Sequence, residues 1–211
     1  MGQSKEYLDL PKKDENGISY LSYSQIQLFK RDKNEYLERY ILNKPFLGNA
    51  YTDFGSKVGE ALETNNFKGF SSQEQRTLNK CTRLDEFEKK VNLDFGDFYV
   101  LGYIDTNSKD FNEIIDYKTG GRNKEFQYLE DEYTQLCYYA LALKQEFGVL
   151  PSKAYVNFIR RNGNAFNGEA LTLGIEVLKL EVDISLSRVT KVYNETKLIA
   201  KEIESFYKQN K

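Results

Sequence analysis

Two β-patterned runs joined by a short polar turn constrain this chain more than any other feature. Residues 95–105 (FGDFYVLGYID) are rich in aromatic and β-branched residues, and residues 113–118 (EIIDYK) form a second run stopped by Thr119-Gly120-Gly121. The turn centres between Asp110 and Phe111. A symmetric hairpin about that point sets Asp105 directly across from Asp116, with Cβ atoms about 5 Å apart. Side chains alternate along a strand, so Lys118 shares a face with Asp116 while Tyr117 points the other way. Facing carboxylates repel unless a proton or a cation lies between them. A divalent ion that prefers oxygen and keeps several waters suits such a pair, with substrate phosphate completing its shell. Lys118 is then placed to orient an attacking water and offset charge on the phosphate. The alternative is a surface hairpin whose Asp116 and Lys118 are merely solvated. Ile114 and Ile115, just before Asp116, point instead to a strand covered on both faces, where a buried carboxylate needs partners.

Composition narrows the chemistry further. The 211 residues include no histidine, which excludes imidazole relays and histidine-based zinc sites. The only cysteines are Cys81 and Cys137, too few for a four-ligand zinc site or an iron–sulfur cluster within one chain. Carboxylate, lysine, arginine, tyrosine and hard metal ions remain. The net charge of −2 argues against nonspecific coating of nucleic acid but leaves room for a local basic groove. No run approaches the roughly 20 apolar residues of a membrane helix. Residues 1–17 are polar and lack the apolar core of a signal peptide, so the expected compartment is the cytoplasm, with reduced thiols.

The rest of the chain reads as one domain over residues 18–211, preceded by a mobile lead-in over 1–17. Capping-box spacing at Ser22/Gln25 and Ser24/Gln27 opens a helix running to about Asn43. Residues 54–66 read as a second helix and the charged stretch 72–91 as a third. Residues 128–147 form a strong helix, ended by Gly148 and Pro151. Strands are expected over 154–160 and 175–183, and a long amphipathic helix over 185–209. The order predicts an α/β fold with a mixed central sheet flanked by helices. Gly163 to Gly168 has the glycine spacing of a phosphate-binding loop, but Glu169 and Ala170 follow where lysine and serine or threonine belong. It reads as a turn between strands, and no nucleotide is expected.

The sequence G-Y-I-D (102–105) followed by I-I-D-Y-K-T-G (114–120) resembles the core of the PD-(D/E)xK nuclease superfamily, in its RecB-like exonuclease branch. Three further pieces occur in the branch's order. Leu21 to Tyr40 resembles its N-terminal helix, Phe54 to Glu63 its G-x-x-x-H-x-x-L helix, and Gln135 to Tyr139 its Q-x-x-x-Y helix. Tyr155 to Ile159 resembles the strand that follows. The resemblance implies a restriction-endonuclease-like core and a DNA phosphodiester hydrolase using Mg²⁺ or Mn²⁺. Asp105 and Asp116 would be metal ligands, the Tyr117 carbonyl a further one, and Lys118 the catalytic lysine. Gln135 and Tyr139 would line the site and hold nucleic acid. One departure stands out: Gly59 occupies the branch's histidine position. The neighbouring carboxylate of Glu60 is the candidate to help there, and Glu63 a weaker one. The cysteines of iron–sulfur members are absent, so no cluster, and no zinc, is expected.

Substrate grip must come from local basic groups. Arg122 and Lys124 rank first because they follow the proposed active strand, then Arg160-Arg161 and Lys57, with Lys30, Arg31 and Lys33 below them. The expected partner is DNA, at ends or in single strands where tyrosines could stack on bases. Repair or recombination proteins are further expected partners, and a small nuclease of this type suits a phage or mobile element. The competing expectation is a nuclease-fold protein, impaired by Gly59, that binds nucleic acid or a partner without cutting.

Overall fold

The computed structural model describes residues 7–45 and 48–211. A mixed sheet carries helices on both faces. Its central strand is β3 (Tyr99–Asn107), flanked on one edge by antiparallel β2 (Glu86–Asp94). The other edge of β3 is shared. Short β1 (Tyr20–Ser22) runs parallel to its first half, and β4 (Glu113–Gly120) pairs with its end. Beyond β4 the sheet continues through parallel β5 (Lys153–Asn162) to antiparallel β6 (Thr172–Glu181). The β3/β4 register, Thr106 opposite Ile115 and Asn107 opposite Ile114, is the one the turn symmetry predicts.

Strand alternation divides the core. Phe158 joins the large apolar cluster under α5 (Gln135–Phe147) and α6 (Leu186–Asn210), while its neighbour Ile159 joins the smaller one under α3 (Ala50–Thr64) and α4 (Ser72–Leu78). Helix α5 is buried on most sides, between the sheet and α6, and its Tyr138 hydroxyl meets Thr196 of α6 at 2.8 Å.

Four local expectations need correction. The stretch 72–91 is not one helix: α4 ends at Leu78 and β2 begins at Glu86. In β2 Val91 and Leu93 are buried while Lys90, Asn92 and Asp94 are exposed, a period of two that the charged edge strand disguises. The first helix breaks into α1 (Tyr23–Arg31) and α2 (Lys33–Tyr36), because Asp32 closes one and caps the other, accepting from the Asn34 and Glu35 amides. A wider helical turn then spans Leu37–Ile41. Helix α5 starts at Gln135 rather than near 128, since the residues before it are committed to tertiary contacts. Arg188 donates to the carbonyls of Glu130 and Tyr133 there. The lead-in is described from Tyr7 onward, and there it is packed: Leu10 is wholly buried and the Asp9 amide donates to Glu204. Among the described residues no helix is long and apolar enough to cross a membrane.

Candidate active site

The site lies where the sheet divides. Strand β1 ends opposite Leu101 and β4 joins at Thr106, so residues 102–105 face a gap between them. Beyond the two paired positions β4 leaves β3. The Tyr117 N–H, still facing β3, donates to Asp105 Oδ2 at 2.6 Å. N–H and C=O of one strand residue share a side, so the Tyr117 carbonyl faces the same gap. Its ring lies on the other face, with its hydroxyl donating to the Thr82 carbonyl at 2.7 Å.

Asp116 is fully buried, and all its partners are positive or protonated. Lys118 Nζ lies 2.9 Å from Oδ1 and 2.7 Å from Oδ2, and the Tyr133 hydroxyl donates to Oδ2 at 3.1 Å. Burial, then the charge of Asp116, pushes Tyr133 well above its ordinary range, so it remains a donor. Burial alone would lower the Lys118 ammonium, but the charges of Asp116 and Asp105 outweigh it and raise it. Asp105 fares differently. Burial, followed by the charge of Asp116, pushes its carboxyl up to about 7 despite Lys118 and the Tyr117 amide. The one ammonium contacts Asp116 alone, so Asp105, when ionised, has no cation of its own among the described residues.

Among the described residues three cavities reach this centre, and two of them include both Asp105 and Lys118. One, of about 470 Å³, lies toward α3 and is lined by Gly59, Glu60, Glu63, Glu88, Asp105 and Lys118. Glu60 thus reaches the cavity, from an exposed position on the helix. A Cβ at Gly59 would meet nothing within 4 Å, so no close packing requires glycine there. The other cavity, of about 570 Å³, lies toward α1 and includes Arg31, Arg39, Tyr103, Gln135 and Tyr139. Gln135 and Tyr139 share a helix face as their spacing implies, and the Gln135 amide donates to the Tyr139 hydroxyl at 2.6 Å. Tyr139 itself is 4% exposed and supports the cleft from beneath rather than projecting into it.

That support explains Gly102. A Cβ there would lie 2.4 Å from Tyr139 Cε1, so the ring packs directly on β3 only where a side chain is missing. Gly102→Ala is expected to cost about 1–3 kcal/mol through overpacking. A thermal melt reads this as a fall of several degrees, and an unchanged melt would show that the ring yields freely.

Arg122 and Lys124 sit in the exposed turn after β4. Arg160 is not available to a phosphate: Glu125 takes it through two contacts of 2.7 Å and Glu176 through one of 2.9 Å. Lys57 is turned onto Phe70, 4.5 Å from its ring centre. Arg31, ranked low from sequence, lines the cleft, although Glu35 lies 3.0 Å from it. Arg39, Tyr133 and Glu88 were not anticipated. Glu88 falls between Phe87 and Lys89, which pair with Thr106 and Ile104, and so stands across the ladder from Asp105. Its φ is +48°, a strained value for glutamate. Burial, then Glu63 and Asp116, raises its carboxyl.

The donors around the gap are hard oxygens, and Asp105 Oδ1 accepts no hydrogen bond among the described residues. With the missing positive charge, this set fits an oxygen-seeking divalent cation. Among the described residues no three acidic or cysteine side chains converge on one point. An ion here would draw on two carboxylates, a carbonyl and water.

A family model described as the PD-(D/E)XK nuclease superfamily matches residues 67–204, which include Asp105, Asp116, Lys118 and Gln135. The crystal structure of the "Putative exonuclease" from Eubacterium rectale superposes with a TM-score of 0.60. The match covers 92% of this chain and 83% of that one, at 10% sequence identity, a likeness of fold. No curated protein matches the sequence.

Proposed function

The chain belongs to the PD-(D/E)XK nuclease superfamily, and from that premise we propose that it hydrolyses DNA phosphodiester bonds as a metal-dependent exonuclease. The observation that carries this reading is the Asp105–Asp116–Lys118 cluster at the division of the sheet, with a charge deficit a divalent ion would fill. Asp105, Asp116 and the Tyr117 carbonyl would hold Mg²⁺ or Mn²⁺, with Glu60 and Glu88 at the rim. Bound there, the ion would supply Lewis-acid polarisation of the scissile phosphate and lower the pKa of water. Tyr133 fixes the Asp116 carboxylate. Lys118 would hold the attacking water and offset charge on the phosphate oxygens. Gln135 would contact the strand from α5, and Arg122 and Lys124 its backbone beyond β4. Work on DNA ends in repair, recombination or phage and mobile-element metabolism would suit this arrangement.

The test is degradation of end-labelled single- and double-stranded DNA, with RNA alongside, in Mg²⁺, Mn²⁺ or chelator. The expected result is metal-dependent loss of label from linear DNA, with closed circles spared. Tight binding without cleavage in any divalent metal would overturn the proposal in favour of a binding protein.

A further inference from the structure

The turn between β5 and β6 is tied to the helix that walls the catalytic cavity, and it presents an aromatic ring to solvent. Phe166 is 85% exposed. It is held rather than loose: the Phe166 amide donates to Asn164 Oδ1, which also accepts from the Tyr51 hydroxyl at 2.9 Å. The Tyr51 hydroxyl accepts in turn from the Ala165 amide at 3.0 Å. Gly163 makes the turn feasible, with φ of +86° and no room for a Cβ beside the Ala170 carbonyl. The Tyr51 and Phe166 rings are 5.4 Å apart, tilted by 55°. Arg161 lies on the Tyr51 ring, 4.1 Å from its centre. Unlike Arg160, it pairs with no carboxylate among the described residues, and its buried Nη1 has no hydrogen-bond partner. A lone exposed phenylalanine is ordinary. Two joined rings backed by an uncompensated guanidinium are the composition of a stacking platform for bases.

Position adds direction. Tyr51, Gly55 and Gly59 are spaced by four along α3 and so form one stripe. Gly55 and Gly59 line the cavity with Asp105 and Lys118, and Tyr51 stands four residues, about 6 Å of helix rise, beyond Gly55. We infer that Phe166, Tyr51 and Arg161 form a base-stacking platform for an unpaired nucleobase of a single strand whose backbone passes the catalytic cluster. This rests on the nuclease reading and gives it a substrate form, because a paired base hides its faces within the stack.

The test measures binding of a labelled single-stranded oligonucleotide in chelator, with 2-aminopurine placed at successive positions. Wild type should quench 2-aminopurine at one position. Phe166→Ala should lose that quenching and bind about 5- to 150-fold more weakly, while Phe166→Trp should retain both properties. Binding to a duplex of equal length should change less than twofold. Equal single-strand affinity and quenching in Phe166→Ala would overturn the platform and leave Phe166 to a protein contact. Failure of the nuclease reading is distinguishable, since it would appear as wild-type protein that cleaves no nucleic acid in any metal.

Discussion

Lys118→Met is expected to reduce cleavage at least about 100-fold, the scale of removing one preorganised donor to a developing charge. The same change should lower stability in chelator. Asp116 is fully buried, and without the ammonium its remaining side-chain partner is the Tyr133 hydroxyl. Breaking one side of a buried pair costs about 3–5 kcal/mol, or roughly 6–20 °C in a domain of this size. Stability loss alone could mimic a catalytic defect, so the double variant Asp116→Asn/Lys118→Met is the decisive companion. With both charges gone the buried penalty disappears, and the melting temperature should recover toward wild type while cleavage stays absent. Wild-type cleavage by Lys118→Met at full rate would refute the catalytic assignment.

The second large effect concerns pH and metal together. The Asp105 carboxyl is raised in the fold to about 7, by burial and then by the charge of Asp116, against an ordinary carboxylate value of 3.8. A group raised in the folded state holds its proton more tightly there. Its contribution to stability is complete below the unfolded value and is lost as pH climbs from about 4 to about 7. At the scale of 1.4 kcal/mol per unit the loss is at most about 4 kcal/mol, less with solvent screening. Glu88, raised by burial and then by Glu63 and Asp116, acts in the same direction. Asp9 and Asp183, lowered by their hydrogen bonds, act oppositely at more acid pH, so comparison with Asp105→Asn isolates the central term. Metal-free wild type should lose stability between pH 5 and 7, and Asp105→Asn should show a flatter profile. A divalent ion competes with that proton. The rise in melting temperature on adding Mn²⁺ should be larger at pH 8 than at pH 5.5, and it should shrink in Asp105→Asn. A manganese shift that is equal at both pH values would refute the shared site.

Local rules made some of this legible and hid the rest. A short turn of fixed length determines register, so the pairing of Thr106 with Ile115, which makes Asp105 and Asp116 the next residues along their strands, could be read from turn symmetry alone. Two isoleucines ahead of Asp116 announced its burial, and a spacing of four placed Gln135 and Tyr139 together. Glu88 was lost because β2 is an edge strand whose charged residues outnumber its apolar ones, which imitates a surface helix. Tyr133 carries no local mark: it reaches Asp116 from a loop held by Arg188 of α6, far along the chain, and by the rings of Tyr23 and Tyr128. Arg160 and Arg161 are equivalent as text. Alternation sends them to opposite faces, and only the fold decides that Glu125 meets one of them while Tyr51 meets the other.

The unequal division of the core bears on how substrate enters. On the α5 side the cleft is backed by the larger cluster, by α6 and by the Tyr138–Thr196 contact. The α3 side rests on the smaller one. If the proposed function holds, the wall bearing Lys118, Tyr133 and Gln135 is the firmer one, and amides of α3 are expected to exchange with solvent faster than those of α5.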